Sequence, residues 1–215
     1  RMNTEREAET ELLRAGAAEL GLQPSAEQIE QLLRSVDVLE RGNAAFNLTA
    51  IRDRPGMLRK HVLDSLSAQT YLRGDRIADV GTGAGFPGLP LAILNPEKKF
   101  SLIEATGKKA RFVAEAVAEI GLANVEVVPQ RAEHYRPMLP FDTIIARALS
   151  SIADFTAYAG HLCAPQGRLL AMKGKRPDAE IAAVPKKFRV LAVHRVRVPG
   201  LDDERHIVEL CRAQA

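Results

Sequence analysis

The residues best suited to chemistry form a glycine-rich run that begins with an acid. It reads Asp79-Val80-Gly81-Thr82-Gly83-Ala84-Gly85-Phe86-Pro87-Gly88 and overlaps the end of the strand-like stretch Ile77–Val80. Glycine adopts positive φ angles and has no side chain, so its backbone can press against a ligand. A helix that begins after the run would offer free N–H groups to an anionic group. Because ligands of open α/β sheets bind where strands end, we predict a ligand site here and not an empty turn.

The spacing of the glycines separates two classes of cofactor. A dinucleotide fingerprint requires G-x-G-x-x-G, and this chain has Phe86 at the sixth position. An acid followed by G-x-G-x-G is instead typical of loops that bind S-adenosyl-L-methionine, whose product is S-adenosyl-L-homocysteine. Glu104 ends the next predicted strand, where an acid accepts hydrogen bonds from ribose hydroxyls, unless it merely faces solvent. The predicted cofactor contacts are Asp79, Gly81, Thr82, Gly83, Gly85, Phe86, Glu104, the pair Ala132-Glu133 expected near adenine, and Arg147.

Arg147 is the side chain that we expect to be catalytic. It follows the apolar strand pattern Thr143–Ala146, at the edge where the ligand should lie. A guanidinium stays charged and can contact guanine O6 or a phosphate through two hydrogen bonds. The alternative is a structural ion pair.

A second set of polar residues suggests contact with nucleic acid. Their types suit phosphate and base contacts, although a solvated surface or internal salt bridges would explain them too. The set comprises Asn47, Arg52, Arg54, Lys60 and His61 beside an N-terminal helical segment, and Lys173, Arg205 and His206 after later strands. No metal site is predicted, and Cys163 and Cys211 are expected to be buried small hydrophobes.

Charge and composition limit the class of protein. The net charge is +3, and residues 131–215 supply the excess, with 14 Lys and Arg against 9 Asp and Glu. A sequence pI of about 9.0 permits a nucleic-acid partner without requiring one. The chain is 46% hydrophobic and has no apolar run of the roughly 20 residues that a membrane span needs. Since the N-terminus also lacks a signal-peptide pattern, we expect a cytoplasmic protein that does not bind membranes.

The elements that must position these residues fall into two parts. Residues 1–72 read as a helical segment of one compact unit, with capping-box spacing at Thr4-x-x-Glu7 and Ser25-x-x-Gln28 and a helix ending near Gly42. From residue 73 to 215, seven strand patterns alternate with helical ones, except at the end. There Phe188–Val198 and Ile207–Cys211 are joined by a short link and must pair antiparallel if they are neighbours. We predict an α/β fold: a doubly wound, mostly parallel, seven-stranded Rossmann-like sheet closed by an antiparallel hairpin.

With these residues identified, the chain resembles the bacterial small-subunit rRNA guanine-N7 methyltransferase family, also called glucose-inhibited division protein B. The resemblance extends from Asn47 to Leu210. Besides the glycine run, it rests on Asn47-Leu48-Thr49, on Lys60 to Leu66, on Ala146-Arg147-Ala148, on Met172-Lys173-Gly174 and on Glu204-Arg205-His206. It implies S-adenosylmethionine as methyl donor, a guanine in the 530-loop region of 16S rRNA as target, and small ribosomal subunits as substrate. We expect a monomer.

The residues agree with N7 chemistry. Guanine N7 has a free lone pair and no proton to lose, so catalysis is mainly the alignment of nucleophile and methyl group. The Asn/Asp-Pro-Pro-aromatic box typical of amine methylation is absent, because Ile145 to Leu149 stand there. Cys163, expected late in a helix, and Cys211 are poorly placed for pyrimidine C5 chemistry. Two alternatives stay open: a methyltransferase for small molecules, and a cofactor-binding ribosome assembly factor without activity.

Overall fold

A single seven-stranded sheet forms the centre of the computed structural model, which describes residues 2–214. The strand order is β3-β2-β1-β4-β5-β7-β6. Strands β1 to β5 run parallel, and β7 is antiparallel to both β5 and β6. The strand bounds are β1 Arg76–Val80, β2 Lys99–Ile103, β3 Val125–Val128, β4 Phe141–Ala146, β5 Cys163–Lys173, β6 Phe188–Val196 and β7 Arg205–Arg212. The predicted fold class is confirmed.

The helices lie before the sheet in sequence or connect its strands. The N-terminal part contains α1, α2 and a helical stretch whose middle turn is π-helical. Its elements are α1 Met2–Glu19, α2 Ala26–Phe46, α3 Arg54–Met57, the π-helical turn Leu58–Leu63 and α4 Asp64–Leu66. The connecting helices are α5 Gly88–Leu94, α6 Gly107–Ile120, α7 Ile152–Ala159 and α8 Asp178–Ala182, of which α8 was not predicted.

Two of the predicted helix boundaries are wrong. The capping box at Ser25 is confirmed, because Ser25 Oγ accepts from Gln28 N and Gln28 Oε1 accepts from Ser25 N. Thr4, in contrast, lies inside α1, which begins at Met2. Helix α2 continues past Gly42, since that glycine allows close packing against the Phe112 ring of α6 and does not end the helix.

The later boundaries hold with smaller corrections. Cys163 begins β5 and is not late in a helix; a single 3-10 turn, Gly160–Leu162, separates it from α7. Both cysteines are buried, as expected. Strand β6 ends at Val196, two residues earlier than predicted, and Val198 is buried in the following turn.

Two clusters of buried side chains cover the two faces of the sheet. One joins the N-terminal helices to the sheet, with Leu32, Leu58, Leu89, Phe100 and Ile207 among its members. The other lies under α7 and contains Phe141, Phe155 and Leu169. Packing in these clusters holds β1, β2, β4 and β5 together, so that their carboxyl ends lie along one edge of the sheet. Among residues 2–214, no helix is long and apolar enough to cross a membrane.

Candidate functional site

The glycine run forms an open turn at the carboxyl end of β1. Gly81 and Gly83 have φ angles of 67° and 61°, which side chains rarely adopt. A Cβ atom at either position would meet no atom within 4 Å, so the backbone faces open space. Gly85 differs, because its Cβ would overlap the Leu89 side chain. The turn thus exposes bare backbone at Gly81 and Gly83 and packs closely at Gly85.

Asp79, near the end of β1, holds this turn through side-chain hydrogen bonds. Its side chain is fully buried, and Oδ2 accepts hydrogen bonds from Thr82 Oγ1 at 2.6 Å and from Gly88 N at 2.8 Å. Burial raises the pKa of Asp79 to about 6, against the opposing effect of these two hydrogen bonds. Oδ1 has no partner among the residues that the structure describes. A buried carboxylate oxygen without a partner can accept a hydrogen bond from a ligand.

Glu104 lies directly after β2 and is held by backbone groups. Its Oε1 accepts from Gly83 N at 2.9 Å and its Oε2 from Thr106 N at 2.8 Å. Each oxygen keeps a second lone pair. The carboxylate borders a cleft of about 240 Å³, here called the loop cleft. Its walls include Val80, Gly81, Ile103, Glu104, Ala132, Glu133 and Tyr158.

The loop cleft brings together four of the ten predicted cofactor contacts, Gly81, Glu104, Ala132 and Glu133, and adds one that sequence reasoning missed. Tyr158 comes from α7, which lies over the sheet, and no local spacing indicates that its ring reaches this cleft. Glu133 is half-exposed, with its Oε1 3.8 Å from Arg131 Nη1. Open backbone at Gly81 and the fixed Glu104 carboxylate at the end of β2 line this cleft, and they fit a ligand that has ribose hydroxyls. S-adenosylmethionine is such a ligand.

A second cavity of about 490 Å³, here called the arginine cleft, opens along the same edge of the sheet at the ends of β4 and β5. Arg147 is its central side chain. Its Nη1 donates to Lys60 O at 3.1 Å and to Asp64 Oδ2 at 3.3 Å, and its Nη2 donates to His61 Nδ1 at 3.1 Å. Arg147 therefore does form the ion pair that was the alternative to a catalytic role. It still borders the cavity, with 24% of its side chain exposed.

Asp64 holds two arginines at once. Its carboxylate is 3% exposed, and Oδ1 accepts from Arg205 Nε at 2.9 Å while Oδ2 faces Arg147. His61 and Asp64 are three residues apart on one face of this helical stretch, and Arg147 bridges the two. The turn that carries His61 is π-helical, a conformation frequent at functional sites. Asp64 thus fixes the positions of two cations at the cleft.

His61 is neutral in this arrangement. Burial, and then the charge of Arg147, lower the pKa of His61 to about 4. Because Nδ1 accepts from Arg147, the proton is assigned to Nε2, which donates to Thr49 Oγ1 at 2.8 Å. Phe86 lies beneath this pair, with its ring centroid 5.2 Å from that of His61 and 5.9 Å from Arg147 Cζ. Phe86 is therefore placed where the glycine run meets the arginine cleft.

Three further predicted residues line the arginine cleft: Lys60, Lys173 and Arg205. Lys173 Nζ also pairs with Glu180 Oε1 at 2.8 Å. Ala148, the residue after Arg147, has a φ of 55°, a strained conformation for alanine. Strain of this kind clusters at functional sites and here turns the chain at the cavity wall.

The structure places the other predicted residues elsewhere. Arg54 is tied to Glu9, Asp37 and Glu40 within the N-terminal segment, and these carboxylates raise the pKa of its guanidinium. His206 is buried, with Nδ1 2.8 Å from Gly174 O. We therefore assign structural roles to both. Asn47 and Arg52 lie on the exposed surface after α2, joined by a 3.3 Å hydrogen bond, outside both clefts.

Comparison with known proteins agrees with this geometry. A glycopeptide N-methyltransferase solved with S-adenosylmethionine superposes with a TM-score of 0.63 at 11% identity, over 72% of this chain and 88% of that one, which shows the fold. Two proteins named ribosomal RNA small subunit methyltransferase G are much closer in sequence. The one from Ectopseudomonas mendocina is 48% identical over 98% of each chain, and the one from Nitrosococcus oceani is 47% identical over 93% of each. The model of the family described as rRNA small subunit methyltransferase G (GidB) matches residues 28–208, and the chain belongs to that family.

Proposed function

We propose that this protein methylates N7 of a guanine in the 530-loop region of 16S rRNA, with S-adenosylmethionine as the methyl donor. The names of its relatives support an rRNA of the small subunit as substrate. The observation that carries the proposal is the arginine cleft, which presents fixed cations beside the glycine run. Of the described residues that line it, His61 and Asp64 are the groups that could act as a base, and both are engaged by other residues. The substrate also implies that the protein works in the cytoplasm, and we propose that it does so as a monomer.

The loop cleft supplies the residues that would hold the cofactor. Backbone at Gly81 and Gly83 would lie against it, and Glu104 would accept hydrogen bonds from its ribose hydroxyls. Ala132, Glu133 and Tyr158 would line the adenine end. S-adenosylmethionine, when bound, supplies an electrophilic methyl group. Because the ends of β1 and β4 are neighbours in the sheet, a ligand in this position lies beside the arginine cleft.

The acceptor side suits an atom that needs no deprotonation. Guanine N7 reacts through its own lone pair, whereas an amine must lose a proton. Among the described residues that line the arginine cleft, both nitrogens of His61 are engaged, and Asp64 is held between two arginines. Lys173 Nζ is paired with Glu180 Oε1 at 2.8 Å. The cleft therefore orients and stabilises, and it leaves the reactive lone pair to the substrate.

Arg147 has the donors needed to orient a guanine. A guanidinium has five N–H groups, and three hydrogen bonds to protein are present. The remaining donors can contact guanine O6, which lies beside N7 on the same edge of the base. Lys60, Lys173 and Arg205 would receive the flanking phosphates, and Asn47 and Arg52 would extend this surface outward. The protein would then act by alignment, which contributes strongly to reactions of this kind.

A nucleotide map of 16S rRNA tests the proposal in cells. Mass spectrometry should find 7-methylguanosine in the 530-loop fragment of a wild-type strain and unmodified guanosine in a strain that lacks the gene. The wild-type gene on a plasmid should restore the methyl group. Identical maps in both strains would support an assembly factor without activity, and a change at another nucleotide would refute the proposed target.

A further inference from the structure

A groove between α2 and α6 lies next to the loop cleft and shares no lining residue with it. Its volume is about 280 Å³. Its walls are Ala45 and Phe46 at the end of α2, Asn47 and Leu48 after that helix, and Thr106, Lys108 and Lys109 at the start of α6. Thr106 N, from the groove, donates to Glu104 Oε2, from the loop cleft, so the two cavities are adjacent. An ion pair between Arg41 and Glu119 joins the two helices farther along. We call this feature the α2–α6 groove.

Phe46 gives the groove an exposed aromatic surface. It is the last residue of α2 and is 53% exposed. The other large apolar residues exposed in the described part of the chain are methionines and leucines. Asn47 follows with a left-handed φ of 48°, which ends the helix and turns the chain away from Phe46. An accessible aromatic face can stack on any nucleobase.

Lys108 and Lys109 give the same groove positive charge that the fold itself does not require. Both are exposed in the first turn of α6, where the helix dipole disfavours cations. That turn contains no acidic residue, and within residues 2–214 neither lysine forms an ion pair with a carboxylate. Their charges therefore cost stability in the isolated protein. An anion bound from outside would reverse this cost.

Few residues of the chain separate the groove from a residue that contacts the wall of the arginine cleft. Thr49, three residues after Phe46, is hydrogen-bonded to His61, which contacts Arg147. Three residues span at most about 10 Å. A nucleotide that flanks one bound in the arginine cleft can therefore reach Phe46.

We propose that the α2–α6 groove binds a single-stranded nucleotide that flanks the target guanine. Its base would stack on Phe46 and its phosphates would lie at Lys108 and Lys109. The choice of RNA as the partner rests on the proposed function. The test of the groove does not depend on that function, because RNA binding is measured without methyl transfer.

The experiment measures binding of a fluorescently labelled, single-stranded oligoribonucleotide of about 12 nucleotides, within the usual range of such sites. Phe46→Ala should weaken binding by about 5- to 150-fold, and Phe46→Tyr should restore most of it, since loss of one stacked base has this effect. The double variant Lys108→Gln/Lys109→Gln should reduce the slope of log K against log salt by about 1.4, which corresponds to two lost phosphate contacts on a single strand.

Matched controls lie at the opposite edge of the sheet. Met138→Ala removes an exposed apolar side chain before β4, and Lys186→Gln/Lys187→Gln removes two exposed charges before β6. Both should bind RNA like the wild type, and calorimetry should give every variant wild-type affinity for S-adenosylmethionine. The inference is overturned if the wild type does not bind the oligonucleotide, or if the groove variants behave like these controls. Failure of methylation together with loss of RNA binding in the groove variants would overturn only the proposed function.

Discussion

The ion pair that Arg147 forms is compatible with the functional role that we propose for this side chain. The pair with buried Asp64, and the bond to the Lys60 carbonyl, fix the guanidinium while part of it still faces the arginine cleft. Fixing a cation in advance lowers the entropy that is lost when the substrate is bound. The ion pair thus supports the proposed role of Arg147 and does not replace it.

Substitution of Arg147 should reduce methyl transfer while the fold is retained. Arg147→Lys keeps the charge but loses the planar fork, and one lost bidentate base contact is worth about 1–3 kcal/mol, or roughly 5- to 150-fold in rate. Arg147→Ala should lose at least as much. Single-turnover methylation of small ribosomal subunits at saturating cofactor measures this, with Arg195→Lys on exposed β6 as control. Full activity in Arg147→Ala would remove this residue from the mechanism.

The neutral state of His61 predicts a pH dependence of stability. The unfolded chain protonates this histidine near pH 6.5 and the folded chain only near pH 4, so unfolding takes up a proton between these values. The contribution of neutral His61 to the free energy of unfolding is fully present above pH 6.5 and is lost as the pH falls toward 4. The loss amounts to about 2 kcal/mol after allowance for the partial exposure of the side chain. Asp79, whose pKa is raised to about 6, acts in the opposite sense, with stability that is lost as the pH rises from about 4 to 6.

The difference between wild type and His61→Gln isolates the histidine, because Asp79 is common to both proteins. Urea unfolding between pH 4.5 and 7 should show the wild type losing free energy of unfolding relative to the variant as the pH falls. His134→Gln, at an exposed position, is the control. A difference that does not vary with pH would show that His61 is not held neutral.

At the scale of elements, the turn between β1 and α5 is the proposed cofactor site, and the π-helical turn forms a wall of the proposed acceptor site. Gly83 and Gly121 make a matched pair for testing the turn. Both have positive φ, at 61° and 82°, and neither has an atom within 4 Å of an added Cβ. Only Gly83 lies within the glycine run, whereas Gly121 is the residue that caps the C-terminus of α6.

Valine at either glycine should therefore cost similar backbone strain, and only one of the two variants should lose its ligand. We expect Gly83→Val to abolish S-adenosylmethionine binding in calorimetry with a native circular dichroism spectrum. Gly121→Val should bind with wild-type affinity although both proteins are destabilised by about 1–2 kcal/mol. Equal affinities in the two variants would argue against the glycine run as the cofactor site.

The same elements show which features sequence reasoning can recover. Several features set by neighbours in sequence were predicted correctly, such as the strands with their apolar patterns and the capping box at Ser25, although the local pattern at Thr4 did not mark a helix start. Features set by distant contacts were not predicted correctly. Gly42 is a packing position because of Phe112, and Arg54 is structural because three carboxylates from α1 and α2 surround it. Tyr158 reaches the loop cleft only through the docking of α7.

At the scale of the whole molecule, the arginine cleft is built jointly by both parts of the chain. The N-terminal helical segment supplies Lys60, His61 and Asp64, and the sheet supplies Arg147, Lys173 and Arg205. The buried Asp64 carboxylate joins the two parts, since its partners Arg147 and Arg205 follow β4 and begin β7. The excess of positive charge in residues 131–215 adds to this surface. The helical segment is therefore one wall of the proposed acceptor site.

The most direct test of the account is methylation by the purified protein of small ribosomal subunits from a strain that lacks the gene. With labelled S-adenosylmethionine, we predict that one methyl group per subunit is incorporated, and that nuclease mapping and mass spectrometry recover it as 7-methylguanosine in the 530-loop fragment of 16S rRNA. Small free methyl acceptors should remain unlabelled. The account would be contradicted by label at an amine, on a ribose or in another fragment. It would also be contradicted if no label were incorporated under conditions in which the protein binds both cofactor and subunit.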